Sequence, residues 1–432
     1  MQTIKTGPVQ DTRISLPGSK SYTHRYLIAA ALSRGPCRIT NWLDSEDTRH
    51  TLDALTQMGA AAAESEDFID IAGIGGDFDS VETPIDLGNS GTSMRLLAGI
   101  CALGQGPYVL TGSERMKERP IDHLLNALSE IGVEAVSLNG NGCPPIRIRG
   151  GCISGSQVAI DCSVSSQYLS SLLLLAPLTE NGLSIHVAKG PVSKPYIDMS
   201  VDVLNRFGIE VKRQDYNSFN IAGGQHYRPG SYTVEPDASQ ASYFWAAAAI
   251  TGASVQVNNI FPTSLQGDVR FARVLEQMGC RVEESPSGIT VTGPGLGILS
   301  PAALVGIDVD MSDMPDLVPT LAVVAAFAEG ETLIRNVGHL RAKESDRLGA
   351  VQNELSRMKI DVRISGDSLI ISGGTPQGAE IETYNDHRMA MSFAVAGLCT
   401  PGLAIKNKAC VAKSFPGFWD VFDRLYETDG MQ

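Results

Sequence analysis

The chain has 432 residues, a net charge of −14 at neutral pH, 43% hydrophobic residues and a mean hydropathy of zero. It is too long for one ordinary core, and its acidity argues against a broad nucleic-acid surface, so two globular domains are expected. Its longest apolar stretches, 170–178 and 244–250, are too short to span a bilayer, and residues 1–8 lack the apolar centre of a signal peptide, so a cytoplasmic location is expected.

Met1 to about Leu16 has strand-like residues and no helix of its own. A first unit then opens at Gly18-Ser19-Lys20-Ser21, runs through an Ala/Leu-rich helix, breaks at Gly35 into a strand, and ends a second helix at Leu55-Thr56-Gln57-Met58-Gly59. The same order recurs. A second unit opens at Gly88-Asn89-Ser90-Gly91-Thr92, breaks at Gly106 and closes at Leu128-Ser129-Glu130-Ile131-Gly132. A third opens at Ser163-Val164-Ser165-Ser166-Gln167, breaks at Gly182 and closes at Leu204-Asn205-Arg206-Phe207-Gly208. The fourth runs from Asp237-Ala238-Ser239-Gln240 through Gly252 to Leu275-Glu276-Gln277-Met278-Gly279. The fifth runs from Met311-Ser312-Asp313-Met314-Pro315-Asp316 through Gly330 to Leu355-Ser356-Arg357-Met358-Lys359, where Lys359 stands in place of the expected Gly. The sixth opens at Asn385-Asp386-His387-Arg388 and breaks at Gly402; its last helix, roughly Phe418 to Leu425, has too few residues after it for a strand pair. The N-terminal segment is therefore expected to complete the sixth unit. The chain would cross twice between two three-unit domains, near Pro17-Gly18 and near Tyr227-Arg228-Pro229-Gly230. That places residues 16–228 in one domain and residues 1–15 with 229–432 in the other, with a hinge over a cleft. Breaks spaced by roughly 70 to 80 residues suit small βα units rather than a solenoid.

Each unit start is polar, and helix starts present free N–H groups and positive dipole ends to anions. Cations gather at these starts or in the loops beside them: Lys20 and Arg25, Arg119, Lys343 and Arg347, Arg388, and Lys413. In an acidic protein such a set predicts a pocket for small, highly charged anions. Two carboxylates, Asp316 and Glu344, lie among these cations. Nucleotide signatures fail: Pro17-Gly18-Ser19-Lys20-Ser21 lacks the first and last Gly of a phosphate loop, and Gly293-Pro294-Gly295-Leu296-Gly297 has the wrong spacing for a dinucleotide site. The eight cysteines include no CxxC, and no HExxH or regular Cys/His spacing occurs, so free thiols and no metal are expected. Read locally, Ser165, Ser166 and Thr92 can simply cap helices, Lys343-Glu344-Arg347 can be a solvated helix face, and Asp386-His387-Arg388 can be a cap with an ion pair.

Taken together, residues 17–25, 87–95, 117–121, 165–168, 193–198, 343–348, 384–390 and 412–416 resemble, in order, the 5-enolpyruvylshikimate-3-phosphate synthases of the enolpyruvyl transferase family. The resemblance implies an α+β (mixed α/β) fold: two similar domains of three βαβαββ units each, inverse α/β barrel-like, with the active site in the interdomain cleft. It implies transfer of enolpyruvate from phosphoenolpyruvate to the 5-hydroxyl of shikimate 3-phosphate, without cofactor, by a monomer that binds neither nucleic acid nor membrane. Under it, Lys20, Ser21, Arg25, Ser165, Ser166, Gln167, Ser193, Asp316, His339 and Lys343 bind shikimate 3-phosphate. Lys20, Gly91, Arg119, Gln167, Arg347, Arg388 and Lys413 bind phosphoenolpyruvate. Asp316 is the expected base toward the 5-hydroxyl, and Glu344 with Lys20 the expected proton donors.

Two departures stand out. His339 replaces the family's usual Asn, which should make its hydrogen bond sensitive to pH and tautomer. Leu96 replaces a common Pro on the helix that carries Gly91, a change that bears on tolerance of the herbicide glyphosate. The sister enzyme acting on UDP-N-acetylglucosamine typically has a Cys in the loop that here reads 111–118 with none. An RNA terminal-phosphate cyclase shares the repeated unit but would favour a basic surface. A non-enzymatic anion binder would not need the carboxylate pair.

Overall fold

The computed structural model describes residues 1–151, 153–294 and 303–427. The chain divides into two compact units, Gly18–Glu235 and a split unit of Met1–Pro17 with Pro236–Gln432. Gly295–Gly297, part of the run with the dinucleotide look, lie outside the described residues.

The Gly18–Glu235 unit contains helices α1 (Lys20–Ala31), α2 (Glu46–Gln57), α3 (Gly91–Ile100), α4 (Asp122–Glu130), α5 (Gln167–Leu175) and α6 (Pro195–Arg206). The split unit contains α7 (Ala238–Thr251), α8 (Phe271–Gln277), α9 (Val318–Ala325), α10 (Arg347–Arg357), α11 (His387–Gly397) and α12 (Phe418–Asp423). The odd-numbered helices are buried along most of their length, apolar runs following their polar starts; every residue of α9 and α11 is buried. Such helices satisfy their hydrophobicity only inside a core. The even-numbered helices are amphipathic: α2 buries Leu52, Ala54 and Leu55 and exposes Asp53, Thr56 and Gln57. Helix boundaries follow local chemistry. Asp237 caps α7 by accepting from Gln240 N, and Gly252 ends it in the left-handed conformation. Lys359 adopts φ +65°, the conformation that Gly59, Gly132, Gly208 and Gly279 take at the matching sites.

Each full repeat contributes to a four-stranded sheet with one parallel edge pair and two antiparallel pairs. Strand 34–40 shows how these sheets sit: Cys37 and Ile39 face the core while Arg34 and Arg38 face solvent. Within each unit the odd-numbered helices thus lie inside, and the sheets present one face to solvent.

The first crossing falls between Pro17 and Gly18, and the second differs from the sequence-based expectation. Gly230–Thr233 pairs in parallel with Cys37–Thr40, so it belongs to the first unit's sheet and the second crossing falls at Glu235–Pro236 rather than near residue 228. The N-terminal segment does not serve the sixth repeat alone. Gln2–Thr3 pairs with Ala404–Ile405 of that repeat, but Thr12–Ile14 pairs in parallel with Val255–Val257 of the fourth. The strand that precedes α1 in sequence therefore completes the sheet after α7, and the strand that precedes α7 completes the sheet after α1. Backbone hydrogen bonding along an edge strand decides its membership, and a Gly/Pro break in sequence does not report it.

Candidate active site

In the Gly18–Glu235 unit, Ser19 caps α1 by accepting from Tyr22 N, which places Lys20 on the first turn. Lys20 Nζ lies 2.9 Å from Asp47 Oδ2, with the Asp47 side chain 2% exposed. Asp47 sits on the first turn of α2, behind a Ser45–Thr48 capping box. Sequence reading passed over it because that stretch reads as an ordinary helix start.

Arg25 follows one turn after Ser21 and is buried. Its Nη1 donates to Ser21 O at 2.8 Å, its Nε to Ser200 Oγ at 2.8 Å, and its Nη2 to Tyr196 O at 3.0 Å and Ser170 Oγ at 3.3 Å. These acceptors are neutral. Burial pushes the guanidinium down to about 10, still charged at neutral pH. A buried cation held by neutral acceptors retains a field for an anion.

A second cluster forms at the start of α3. Ser90 caps the helix and Gly91 is its first residue. A Cβ on Gly91 would lie 2.3 Å from Arg119 Nη2 and 2.7 Å from Arg95 Nη1, so both guanidiniums crowd onto this backbone position. Arg119 Nη1 donates to Asn89 O at 2.9 Å and Asn89 Oδ1 at 3.2 Å. Arg95 donates to Gln167 Oε1 at 3.1 Å, Pro120 O at 3.2 Å and Gly91 O at 3.4 Å. Gln167 completes the link by donating Nε2 to Thr92 Oγ1 at 3.0 Å. Arg95 received no role from sequence; its position four residues after Gly91, hence on the same helix face, is the signal that could have found it.

Ser165 Oγ accepts from Gln167 N at 3.2 Å, a capping contact, whereas Ser166 makes no side-chain cap bond. Ser163 turns back on Asp161 through both its N–H and its hydroxyl. Ser193 has φ +55°, a conformation a non-Gly residue adopts at a cost, and sits two residues before α6.

In the split unit the predicted residues converge on Asp316, in the short 3-10 turn Pro315–Leu317. Asp316 Oδ1 lies 2.9 Å from Arg347 Nη1 and 3.6 Å from Lys343 Nζ, and Oδ2 lies 2.8 Å from Arg388 Nη2. Burial would push this carboxyl up, but Arg388, Lys343 and Arg347 together overcome it and hold it well below the usual carboxylate range. Arg347 also donates to Glu344 Oε2 at 2.8 Å and to both oxygens of Asp386, at 2.8 and 3.2 Å. Asp386 is fully buried and caps α11 by accepting from Arg388 N at 3.0 Å. The local reading of Asp386-His387-Arg388 as a cap with an ion pair therefore describes its backbone role, while its carboxylate also orients Arg347. Arg388 Nη1 reaches Tyr243 Oη at 3.3 Å. Lys413 ends the 3-10 turn Lys408–Lys413 and is buried.

His339 lies on the 3-10 turn Gly338–Ala342, and its buried Nε2 has no hydrogen-bond partner. Burial, reinforced by the Lys343 charge, pushes its imidazole down to about 4. The expected pH sensitivity of this group thus falls outside the neutral range, where the ring is a neutral donor or acceptor. Among the described residues, no group of three or more His, Cys, Asp or Glu is arranged to hold a metal ion, and no helix is long and apolar enough to cross a membrane.

Residues 4–422 match the family model described as EPSP synthase (3-phosphoshikimate 1-carboxyvinyltransferase). The chain is similar to the 3-phosphoshikimate 1-carboxyvinyltransferase of Vibrio atlanticus, with 43% identity covering 98% of this chain and 99% of that relative. It is similar to the enzyme of the same name from Proteus mirabilis, with 45% identity covering 95% of each. Its structure resembles the EPSP synthase of Acinetobacter baumannii, with a TM-score of 0.80 at 30% identity over 99% of this chain and 98% of that one.

Proposed function

The chain belongs to the EPSP synthase family, and from that premise we propose how its residues divide the reaction. The enzyme is a transferase that moves the enolpyruvyl group of phosphoenolpyruvate to the 5-hydroxyl of shikimate 3-phosphate and releases phosphate, in the route to aromatic amino acids. The UDP-N-acetylglucosamine alternative is not favoured by these similarities. Both substrates bring a phosphate and a carboxylate, which is why so many cations and N–H donors are needed.

In our reading Lys20, Ser21, Arg25, Ser165, Ser166, Gln167, Ser193, His339 and Lys343 hold shikimate 3-phosphate. Gly91, Arg119, Arg347, Arg388 and Lys413 hold phosphoenolpyruvate, with Lys20 and Gln167 touching both. Asp316 accepts the proton of the 5-hydroxyl as its oxygen attacks C2 of phosphoenolpyruvate. Glu344 and Lys20 supply the proton to the methylene carbon, giving a tetrahedral intermediate. Elimination reverses both proton transfers: a methyl proton returns to the donor, the C–O bond to phosphate breaks, and the double bond re-forms. The observation that carries this assignment is the convergence of Arg347, Lys343 and Arg388 on Asp316, which keeps the carboxylate ionised and fixed. The high acidic charge supports the further reading of a cytoplasmic monomer that binds neither nucleic acid nor membrane.

The test is phosphate release from phosphoenolpyruvate in buffer containing a chelator, with shikimate 3-phosphate or UDP-N-acetylglucosamine as acceptor, for the parent chain and Asp316→Ala. Release with shikimate 3-phosphate alone, lost in Asp316→Ala while both substrates still bind, is the expected result. Normal turnover in that variant would overturn the assignment.

A further inference from the structure

The reaction above leaves unused one carboxyl that shares a face of α7 with Arg388: Ser239 donates to that carboxyl, Asp268, and Tyr243, four residues on, accepts from Arg388 Nη1 at 3.3 Å. Asp268 lies in the short 3-10 turn Gly267–Arg270 and is buried, 4% exposed. Its Oδ2 accepts a hydrogen bond from Ser239 Oγ on the first turn of α7. Its Oδ1 is buried and has no hydrogen-bond partner. The turn is fixed from its preceding residue: Gln266 accepts from Ala238 N at 3.1 Å and donates to Pro236 O at 2.7 Å, which ties it to the start of α7.

A buried carboxylate oxygen with no donor is costly, and protonation is the cheapest relief. The charges acting on Asp268 come from Arg388 at the start of α11, Asp316 in the turn before α9 and Asp237 at the cap of α7. On its own turn, Arg270 is half exposed and reaches Asp313 instead. Tyr243 of α7, the hydroxyl partner of Arg388, is pushed up to about 12 by burial and stays neutral. Burial outweighs the pull of Arg388 and, with Asp316 adding to it, pushes Asp268 up to about 7. Asp316 and Asp268 thus both act on the charge of Arg388, Asp316 held well below the usual carboxylate range and Asp268 raised into the neutral range.

We propose that Asp268 is a positioning residue that acts through Arg388: protonated, it leaves the guanidinium to Asp316 and to an incoming phosphate or carboxylate, and ionised, it competes with that anion for the same charge. The inference rests on the assignment of Arg388 to phosphoenolpyruvate. It predicts that the enzyme weakens its own grip on that substrate as pH rises through 7, by a group that never touches it.

The experiment measures kcat and KM for phosphoenolpyruvate at saturating shikimate 3-phosphate, from pH 6 to 8, in the parent enzyme, Asp268→Asn, Ser239→Ala and Arg388→Lys. A group titrating at about 7 passes from ten-elevenths to one-eleventh protonated over that span, so its share of the rise in KM approaches about tenfold, with kcat moving less. Phosphoenolpyruvate's own titration is common to all variants and cancels in the ratios. Asp268→Asn, a neutral isostere, should remove that share. Ser239→Ala deletes the hydrogen bond that lowers the carboxyl's pKa and should move the limb to higher pH, which keeps the test alive if the first variant fails to fold. A parental limb in Asp268→Asn, or losses of kcat/KM that are equal at every pH in both variants, would overturn the role of Asp268. Arg388→Lys separates the two failures: an unchanged KM there overturns the assignment of Arg388 itself.

Discussion

Gly91→Ala is the sharpest test of the phosphoenolpyruvate assignment, because the structure supplies its geometry. The added methyl would sit 2.3 Å from Arg119 Nη2, 2.6 Å from Arg119 Cζ and 2.7 Å from Arg95 Nη1. Restoring ordinary contact at 3.4 Å requires the Arg119 guanidinium to retreat by about 1 Å. The atoms in the way are the far ends of long side chains, so the fold can absorb the change. Arg119 nevertheless loses its alignment with Asn89 O and Oδ1, and Arg95 its bond to Gln167. Losing one or two charge-assisted hydrogen bonds to substrate costs about 1.5–3 kcal/mol, or roughly 10- to 150-fold in binding. The expected outcome is a KM for phosphoenolpyruvate raised by that factor, a KM for shikimate 3-phosphate changed less than about threefold, and a melting temperature within a few degrees of the parent's. Steady-state phosphate release with each substrate varied in turn, with a thermal melt of the same preparation, reads all three. An unchanged KM for phosphoenolpyruvate would refute the reasoning, as would an equal rise for both substrates.

Other predictions rest on single groups. Asp316→Asn keeps the volume but removes the proton acceptor and its pull on three cations; kcat should fall by about 10²- to 10⁴-fold, and retention of more than a tenth of parental kcat would refute the base role. Arg25→Ala removes a cation held by neutral acceptors and should weaken shikimate 3-phosphate binding by roughly 10- to 150-fold; calorimetry showing parental affinity would count against its assignment. For His339, the folded ring titrates at about 4 against 6.5 when unfolded, so between those values only the unfolded chain binds the proton. Stability from this group is therefore full above 6.5 and lost as pH falls towards 4, a span of at most about 3 kcal/mol. Urea unfolding at pH 5 and 7.5 should show a smaller difference for His339→Asn than for the parent, and equal differences would disprove the point.

Repetition made the six units legible, because a polar cap, an apolar helix and a left-handed stop are local features that sequence records directly. Lys359 shows how far this extends: its position in the pattern implied the φ that the structure shows. The edge strands were not legible. Thr12–Ile14 and Gly230–Thr233 are short, and nothing in their residues says which sheet's open edge will accept their backbone hydrogen bonds. The cations at helix starts were visible as types and places. Their partners were less so: Asp47 is distant from Lys20 in sequence, and the buried Asp268 is one more acidic residue among 48 until its surroundings are known. Burial converts such a residue from solvated charge to tuned acid, and burial is a tertiary property.

Lys20 is paired with a carboxylate, Asp47, but the buried arginines Arg25 and Arg95 of that unit and Arg347 of the other are held by opposite means, which suits them to different work. Arg25 and Arg95 are buried against hydroxyls, carbonyls and an amide, so their fields are left for a ligand and anion binding recovers part of the desolvation cost. Arg347 is the reverse. Of its five N–H donors, four are committed to Asp386, Asp316 and Glu344, and the one left on Nη1 is what the proposed assignment gives to phosphoenolpyruvate. Its first task is to set carboxylates in place, and any substrate anion that draws on Arg347, Lys343 or Arg388 draws on the same charges that depress Asp316. A carboxylate held far below its usual range is a poor base; neutralising those cations with substrate raises its proton affinity toward the 5-hydroxyl. Under the proposed assignment, base strength at Asp316 therefore follows occupancy of the anion sites, and the proton acceptor is strongest when both substrates are bound.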